Sequence, residues 1–333
     1  MKIFRTLLRY PRKYDKIFTG GMPMFLSNFL IIAQQVAVLF ILIAVGFLCG
    51  KKGMITEHAS KVMTDIVLYV VTPCVMVSAF QREFSFDTLY IMLIAAATAL
   101  IILLGSILLA RLVFRTKDIG RRKVLQFAVI FSNCGFMSLP LQKELLGDDG
   151  WFFGSIFVAV FNIVVWSYGL LDMSGDRKQL SVKKILLNPG IMGAVLATVL
   201  FVCNVKLPPI IINPVTHLAN LNTPVPMLVI GYYLSQASFK KAFSDKGSYF
   251  ASIFRLLVIP LIAAFTMYFL GMHRVMTIAF TIACAAPTAA TTTMFAAKFD
   301  RNVDLSVSVV AATTVLSLIT MPLIVSLIWS LYP

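Results

Sequence analysis

The chain alternates long apolar runs with short connections that carry most of its charged residues. A helix of about 20 residues crosses the roughly 30 Å hydrocarbon core of a bilayer, and ten runs approach or exceed that length. We place them at 27–49, 62–80, 88–110, 124–146, 151–171, 188–205, 212–234, 248–270, 275–297 and 305–330. No connection between them is long enough for a soluble domain. The pattern therefore predicts an all-α integral membrane protein embedded in a lipid bilayer.

Composition supports this class. Of the 333 residues, 59% are hydrophobic and 13% charged, whereas soluble domains carry about 25% charged residues. The net charge of +15 lies in short clusters between the apolar runs, which is typical of membrane loops and does not indicate a nucleic-acid partner. The five cysteines lie inside apolar runs without a CxxC pair, so we predict no metal centre and no cofactor.

Lysine and arginine are distributed unevenly between the connections. Eighteen lie in the connections that follow runs one, three, five, seven and nine. Four lie in or beside the alternate connections, counting Lys143 near the end of the fourth run. Positive residues concentrate on the cytoplasmic side, so we expect a protein of the plasma (cytoplasmic) membrane with both termini outside. The basic tail 1–23 does not fit this orientation, so we expect either that the native start is Met22 or Met24 or that the tail has an unusual location.

Two pairs of prolines indicate an internal repeat. Pro73 and Pro224 are 151 residues apart, and Pro140 and Pro287 are 147 residues apart. These spacings relate a first five-helix repeat, 24–171, to a second, 188–333, across a cytoplasmic linker, 172–187. Because five spans per repeat is an odd number, the second repeat must be inverted, which is the architecture of many secondary carriers.

The fourth and ninth runs each combine a mid-span proline with small and polar residues. Proline lacks an amide hydrogen and clashes with the carbonyl four residues earlier, so we predict broken helices that cross at the centre of the bilayer. The amide ends of the second half-helices attract anions. Ordinary proline kinks are the alternative. The predicted substrate-binding residues are Asn133, Gly135, Ser138, Pro140, Pro287, Thr288 and Thr291.

Charged residues within the runs are few, and two are candidates for ion or proton coupling. Asp65 is near the start of the second run, where the alternatives are binding of a proton or cation and a role as a helix cap or interface residue. Arg255 lies about two turns into the eighth run, where it pairs with a carboxylate substrate or extends to the cytoplasmic edge. Neither predicted crossover contains an acidic residue, which favours an anionic ligand.

Four short motifs resemble the auxin efflux carrier family, including its bacterial members. Their order and spacing, from about Met24 to Pro333, are more specific than any one of them. The motifs are Asn133-x-Gly135-Phe136-x-x-x-Pro140, Asn188-Pro189, Pro224-x-Pro226 with Gly231, and Ala286-Pro287-Thr288-Ala289-Ala290.

The resemblance implies several further properties. Family members include plant auxin exporters and bacterial carriers proposed for malate or malonate, and their fold is similar to that of bile-acid sodium symporters. Spans one, two, six and seven would form a scaffold, as a homodimer, and the other six a mobile unit that moves like an elevator. Asn133, Pro140 and Pro287 match the family's crossover positions. Sodium coupling does not follow from this likeness.

The sequence thus predicts a secondary active transporter, a permease for a small organic anion such as a carboxylate. We do not expect an enzyme, because the HExxH metalloprotease motif and a serine–histidine set are absent, as is the GxxxxGK[ST] nucleotide-binding motif. The alternative is a membrane sensor or channel-like module without an enzymatic output.

Overall fold

A computed structural model describes residues 24–176, 178, 181–237 and 245–332. Within these residues the secondary structure is helical, with one isolated β-bridge and no strand. The predicted tail, 1–23, lies outside the described residues, as does part of the predicted linker 172–187.

The described residues form thirteen helices, of which α5 is bent at Gly147, where φ is 64° and ψ −147°. This glycine divides α5 into a first segment, 134–146, and a second segment, 148–174. The helices are α1 Met24–Lys51, α2 Glu57–Ala79, α3 Phe86–Val113, α4 Ile119–Ile130, α5 Cys134–Ser174, α6 Val182–Leu186, α7 Pro189–Val202, α8 Pro209–Asn220, α9 Pro224–Gln236, α10 Lys246–Phe269, α11 Arg274–Ala285, α12 Thr291–Lys298 and α13 Val303–Ser330.

Six of these helices (α1, α2, α3, α5, α10 and α13) are long and apolar enough to cross a membrane, and α7 and α11 are shorter apolar helices. The chain is therefore a multi-pass helical membrane protein. All ten predicted runs fall on helical chain, but 124–146, 212–234 and 275–297 are each divided between two helices. The division of 212–234 into α8 and α9 was not predicted. Its physical basis is Pro224, which has no amide hydrogen and whose ring would clash, in a continuous helix, with the carbonyl of Asn220, the last residue of α8.

Prolines inside three helices follow π-helical turns. The turns Val67–Val71, Cys134–Ser138 and Phe254–Val258 end two residues before Pro73, Pro140 and Pro260. A π-helical turn widens the backbone and shifts its hydrogen-bonding pattern, so each chain continues as a helix beyond its proline.

The helices α1 and α9 pack with their backbones in contact. A Cβ atom added at Gly231 would lie 2.1 Å from the Ile43 carbonyl oxygen, and one added at Gly46 would lie 2.3 Å from that of Leu228. Small residues allow such close approach of helices in a membrane. On another side α1 meets α13, where Asn28 Nδ2 donates to Ser330 Oγ at 3.3 Å.

The basic connections meet at one end of the molecule. Lys123 Nζ lies 2.5 Å from the buried carboxylate of Asp172, and Arg121 lies 2.8 Å from Asp245. The guanidinium of Arg301 donates to the carbonyls of residues 173 and 174. The connections after α3, α5, α9 and α12 are thereby brought together.

The opposite connections are joined in the same way. Arg82 lies 3.2 Å from Asp149, and Lys206 lies 2.9 Å from Glu83. These pairs link the connection after α2 to the bend in α5 and to the connection after α7.

We expect Gly231→Ala to lower the free energy of unfolding by about 1–3 kcal/mol, because the added methyl group overpacks a backbone contact. The measurement is the thermal unfolding midpoint in detergent. Gly105→Ala in α3 is the matched control: nothing lies within 4 Å of its added Cβ, and alanine is the better helix former. An equal midpoint for both variants would contradict the close α1–α9 packing.

Candidate functional site

Two helix interruptions meet inside the molecule. Residues 131–133 separate α4 from the first segment of α5, and residues 286–290 separate α11 from α12. The two interruptions run antiparallel and pair at an isolated β-bridge between Ser132 and Thr288. The Asn133 amide donates to the Pro287 carbonyl at 2.7 Å, and the Ala289 amide donates to the Phe131 carbonyl at 2.9 Å. We call this pairing the crossover.

The carbonyl end of α4 is satisfied mostly by residues from the second half of the chain. The last carbonyls of any helix lack partners within it, and leaving them unpaired in a membrane costs several kcal/mol each. Here the Ala128 carbonyl accepts from Thr288 Oγ1 at 3.0 Å. The carbonyls of Val129 and Ile130 accept from Arg255 Nη1 at 2.9 and 3.1 Å.

Arg255 also reaches the carbonyl end of α11. Its second terminal nitrogen, Nη2, donates to the Cys284 carbonyl. The side chain leaves the π-helical turn of α10, and the residue is 2% exposed. One guanidinium thus binds the ends of both helices that enter the crossover. No described carboxylate forms an ion pair with it.

The amide ends that leave the crossover have no such partners. α5 and α12 begin within three residues of the bridge, and the amides of Gly135, Phe136, Ala290 and Thr291 make no hydrogen bond with a described residue. Three buried hydroxyls near these ends also lack partners in the described chain: those of Ser138, Thr291 and Thr292. A buried hydroxyl without a hydrogen bond is unfavourable, so this region is suited to a polar ligand.

Five of the predicted site residues lie within or close beside the two interruptions. Asn133, Pro287 and Thr288 lie within the two interruptions, and Gly135 follows directly after Asn133. The side-chain amide of Asn133 makes no hydrogen bond with a described residue. Thr291 begins α12. These residues are brought together by the bridge.

The predicted break at Pro140 is wrong. The interruption lies at 131–133, and the chain from 134 onward is helical through the proline. The π-helical turn Cys134–Ser138 accommodates the proline ring, so the steric clash does not end the helix. Pro140 is buried inside α5, whereas Pro287 does lie in an interruption.

The two charged candidates have different positions. Asp65 is exposed and lies in α2 just before the π-helical turn Val67–Val71. It makes no hydrogen bond or ion pair with a described residue. Arg255 does not extend to the cytoplasmic edge, because its guanidinium is held by the carbonyls of the crossover.

Sequence reasoning missed two buried amides beside the crossover. Gln142 Nε2 donates to the Ala279 carbonyl of α11 at 2.6 Å, so it joins α5 to α11. Asn222, between α8 and α9, is 2% exposed and donates from Nδ2 to the Gly135 carbonyl at 3.0 Å. The only sequence signal for Asn222 is the run that follows it, Thr223-Pro224-Val225-Pro226, whose prolines indicate a helix interruption.

We expect Thr288→Val to lower the free energy of unfolding by about 1–3 kcal/mol, because it leaves the buried Ala128 carbonyl without its donor at nearly constant volume. The thermal midpoint in detergent measures this loss. In the control Thr198→Val, the lost hydroxyl bonds only the Ala194 carbonyl of its own helix, and we expect little change. Equal midpoints for the two variants would contradict the assigned role of Thr288.

Comparison with known proteins identifies the family of the chain. The family model described as "Membrane transport protein" matches residues 31–184 and 176–325. An uncharacterized transporter of Methanocaldococcus jannaschii is 22% identical over 301 residues, which cover 86% of this chain and 96% of the relative. Another, of Methanothermobacter thermautotrophicus, is 24% identical over 296 residues, covering 87% and 96%. The chain therefore belongs to the membrane transport protein family, that of the auxin efflux carriers, and is a multi-pass membrane permease.

Proposed function

We propose that this permease is a secondary active transporter of a small organic anion, such as a carboxylate, and that the anion binds at the crossover. One observation carries the proposal: the carbonyl ends at the crossover are occupied by Arg255 and Thr288, whereas the amide ends are unpaired. The amide end of a helix carries about half a positive charge, so two such ends attract an anion.

The chemistry of the surrounding side chains supports an anionic cargo. The stretches 131–138 and 286–292 contain no acidic residue, so nothing in them repels a carboxylate. Asn133, Ser138 and Thr291 offer uncharged hydrogen-bond donors for the carboxylate oxygens. Aromatic rings line the adjoining core, where the Phe127 and Phe131 centroids lie 4.4 Å apart, and suit the apolar part of such a ligand.

The same proposal includes ten spans as two inverted repeats and elevator-like movement. α4 with the first segment of α5, α8 with α9, and α11 with α12 would each count as one interrupted span. The mobile unit would be α3–α5 with α10–α13, braced internally by Arg255 and Gln142. Its polar contacts with the rest of the protein are few among the described residues. They include the hydrogen bonds Asn28 to Ser330, Asn222 to Gly135 and Lys143 to Asn220, and the ion pair of Arg82 with Asp149 at the bend in α5. Few polar ties at an interface favour sliding.

Orientation and assembly complete the proposal. The basic connections after α3, α5, α9 and α12 would face the cytoplasm, with both termini outside the plasma membrane. The outer face of α1 carries exposed apolar side chains at helical spacing, among them Val38, Ile41, Val45 and Leu48. This face would contact lipid or the second copy of a homodimer.

The test is uptake of labelled mono- and dicarboxylates, with indole-type acids in parallel, into proteoliposomes. We expect Asn133→Ala and Thr291→Val each to reduce transport about tenfold or more, because each loses a hydrogen bond to a charged ligand, worth about 1.5–3 kcal/mol. Thr320→Val, whose hydroxyl bonds only the Leu316 carbonyl of its own helix, should transport normally.

Transport that survives both Asn133→Ala and Pro287→Ala would show that the cargo binds elsewhere. Pore currents without saturable transport would instead support the channel-like alternative.

A further inference from the structure

Arg255 is the largest of the fully buried side chains in the described chain. A buried charge is normally paired with an opposite charge, because removing it from water costs several kcal/mol. No described carboxylate supplies that pairing. The charge is instead surrounded by the carbonyl oxygens of Val129, Ile130 and Cys284.

These three oxygens have a common electrostatic character. Each lies in the last turn of a helix, α4 or α11, where the helix dipole contributes about half a negative charge. Two such helix ends together compensate roughly one positive charge. Backbone carbonyls at the ends of interrupted membrane helices are the surroundings in which transporters hold a dehydrated monovalent cation.

We infer that the Arg255 guanidinium is a tethered cation, which occupies a monovalent-cation site formed by these three carbonyls. The arginine neutralises the carbonyl ends permanently. The consequence for transport rests on the proposed function: anion binding at the amide ends needs no inorganic co-ion. Arg255 is a positioning residue, because it acts on the cargo through the two helices whose ends it joins.

The geometry distinguishes this role from simple packing. Arg255 holds the two helix ends together with a planar fork of donors, and Nε has no partner in the described chain. Removing the side chain would leave three buried acceptors without a donor. A small cation that enters the vacated space would restore both the charge and the hydrogen bonds or coordination. A side chain that served only to fill space could be replaced by any group of the same volume.

The experiment compares Arg255→Ala with the wild type in two readouts. The first is the thermal midpoint in detergent with millimolar guanidinium, sodium or choline chloride. We expect guanidinium or sodium, and not the larger choline, to raise the midpoint of Arg255→Ala, because a ligand that binds the folded state stabilises it. Arg115→Ala is the control: its guanidinium is exposed and donates to a helix-end carbonyl, that of Arg111. It should show no response beyond that of the wild type.

The second readout is carboxylate uptake into proteoliposomes. We expect wild-type uptake to be equal in sodium and choline media. Arg255→Ala should lose about tenfold or more, as expected for the loss of charged hydrogen bonds, and should regain uptake with guanidinium. Arg255→Lys keeps the charge without the planar fork of donors, so its uptake should lie between that of the wild type and that of Arg255→Ala.

Arg255→Lys also provides a test if Arg255→Ala does not fold. A thermal midpoint of Arg255→Lys above that of Arg255→Gln supports the inference, and an equal or lower midpoint overturns it.

Two further results would overturn the inference. One is a folded Arg255→Ala whose midpoint is indifferent to all three cations, and the other is a wild type that requires sodium for uptake. Failure of the proposed function is a separate outcome. If the wild type carries no carboxylate, the midpoint measurements still decide whether the three carbonyls form a cation site.

Discussion

A helix that is interrupted inside a membrane leaves carbonyl oxygens without amide partners, and lipid supplies none. In this protein the two interruptions satisfy one another through the bridge between Ser132 and Thr288. The carbonyls that remain are bound by Arg255 and by the Thr288 hydroxyl. Arg255 and Thr288 belong to the second half of the chain, whereas the Asn133 amide, which binds the Pro287 carbonyl, belongs to the first. Neither side of the crossover is therefore satisfied without the other half of the chain.

The two kinds of helix end at the crossover differ in charge and in what binds them. The negative ends of α4 and α11 are neutralised by a residue of the protein itself. The positive ends of α5 and α12 remain without protein partners, beside buried hydroxyls in the same condition. The asymmetry gives a physical reason for proposing an anionic cargo, and this reason does not depend on resemblance to any family. It also explains why Arg255 tolerates burial without a carboxylate, since two helix dipoles compensate its charge.

Much of the helical content and the position of the crossover motifs could be predicted from hydrophobic runs and proline spacing. Pro287 marked its interruption correctly, but Pro140 did not, because a π-helical turn absorbs the proline and the break falls seven residues earlier at Asn133. The roles of Arg255, Gln142 and Asn222 could not be predicted. Each binds a carbonyl more than 25 residues away in sequence, and backbone acceptors have no signature in side-chain pattern.

The guanidinium of Arg255 binds backbone oxygens and no side chain of α4 or α11. Every residue type presents the same carbonyl, so substitutions along those two helices leave the brace intact. Residues that would face the cargo, such as Asn133 and Ser138, are then free to vary without dismantling the frame that displays them. A permease built in this way can acquire a new substrate by a few side-chain replacements, which makes its selectivity more readily changed in evolution than its architecture.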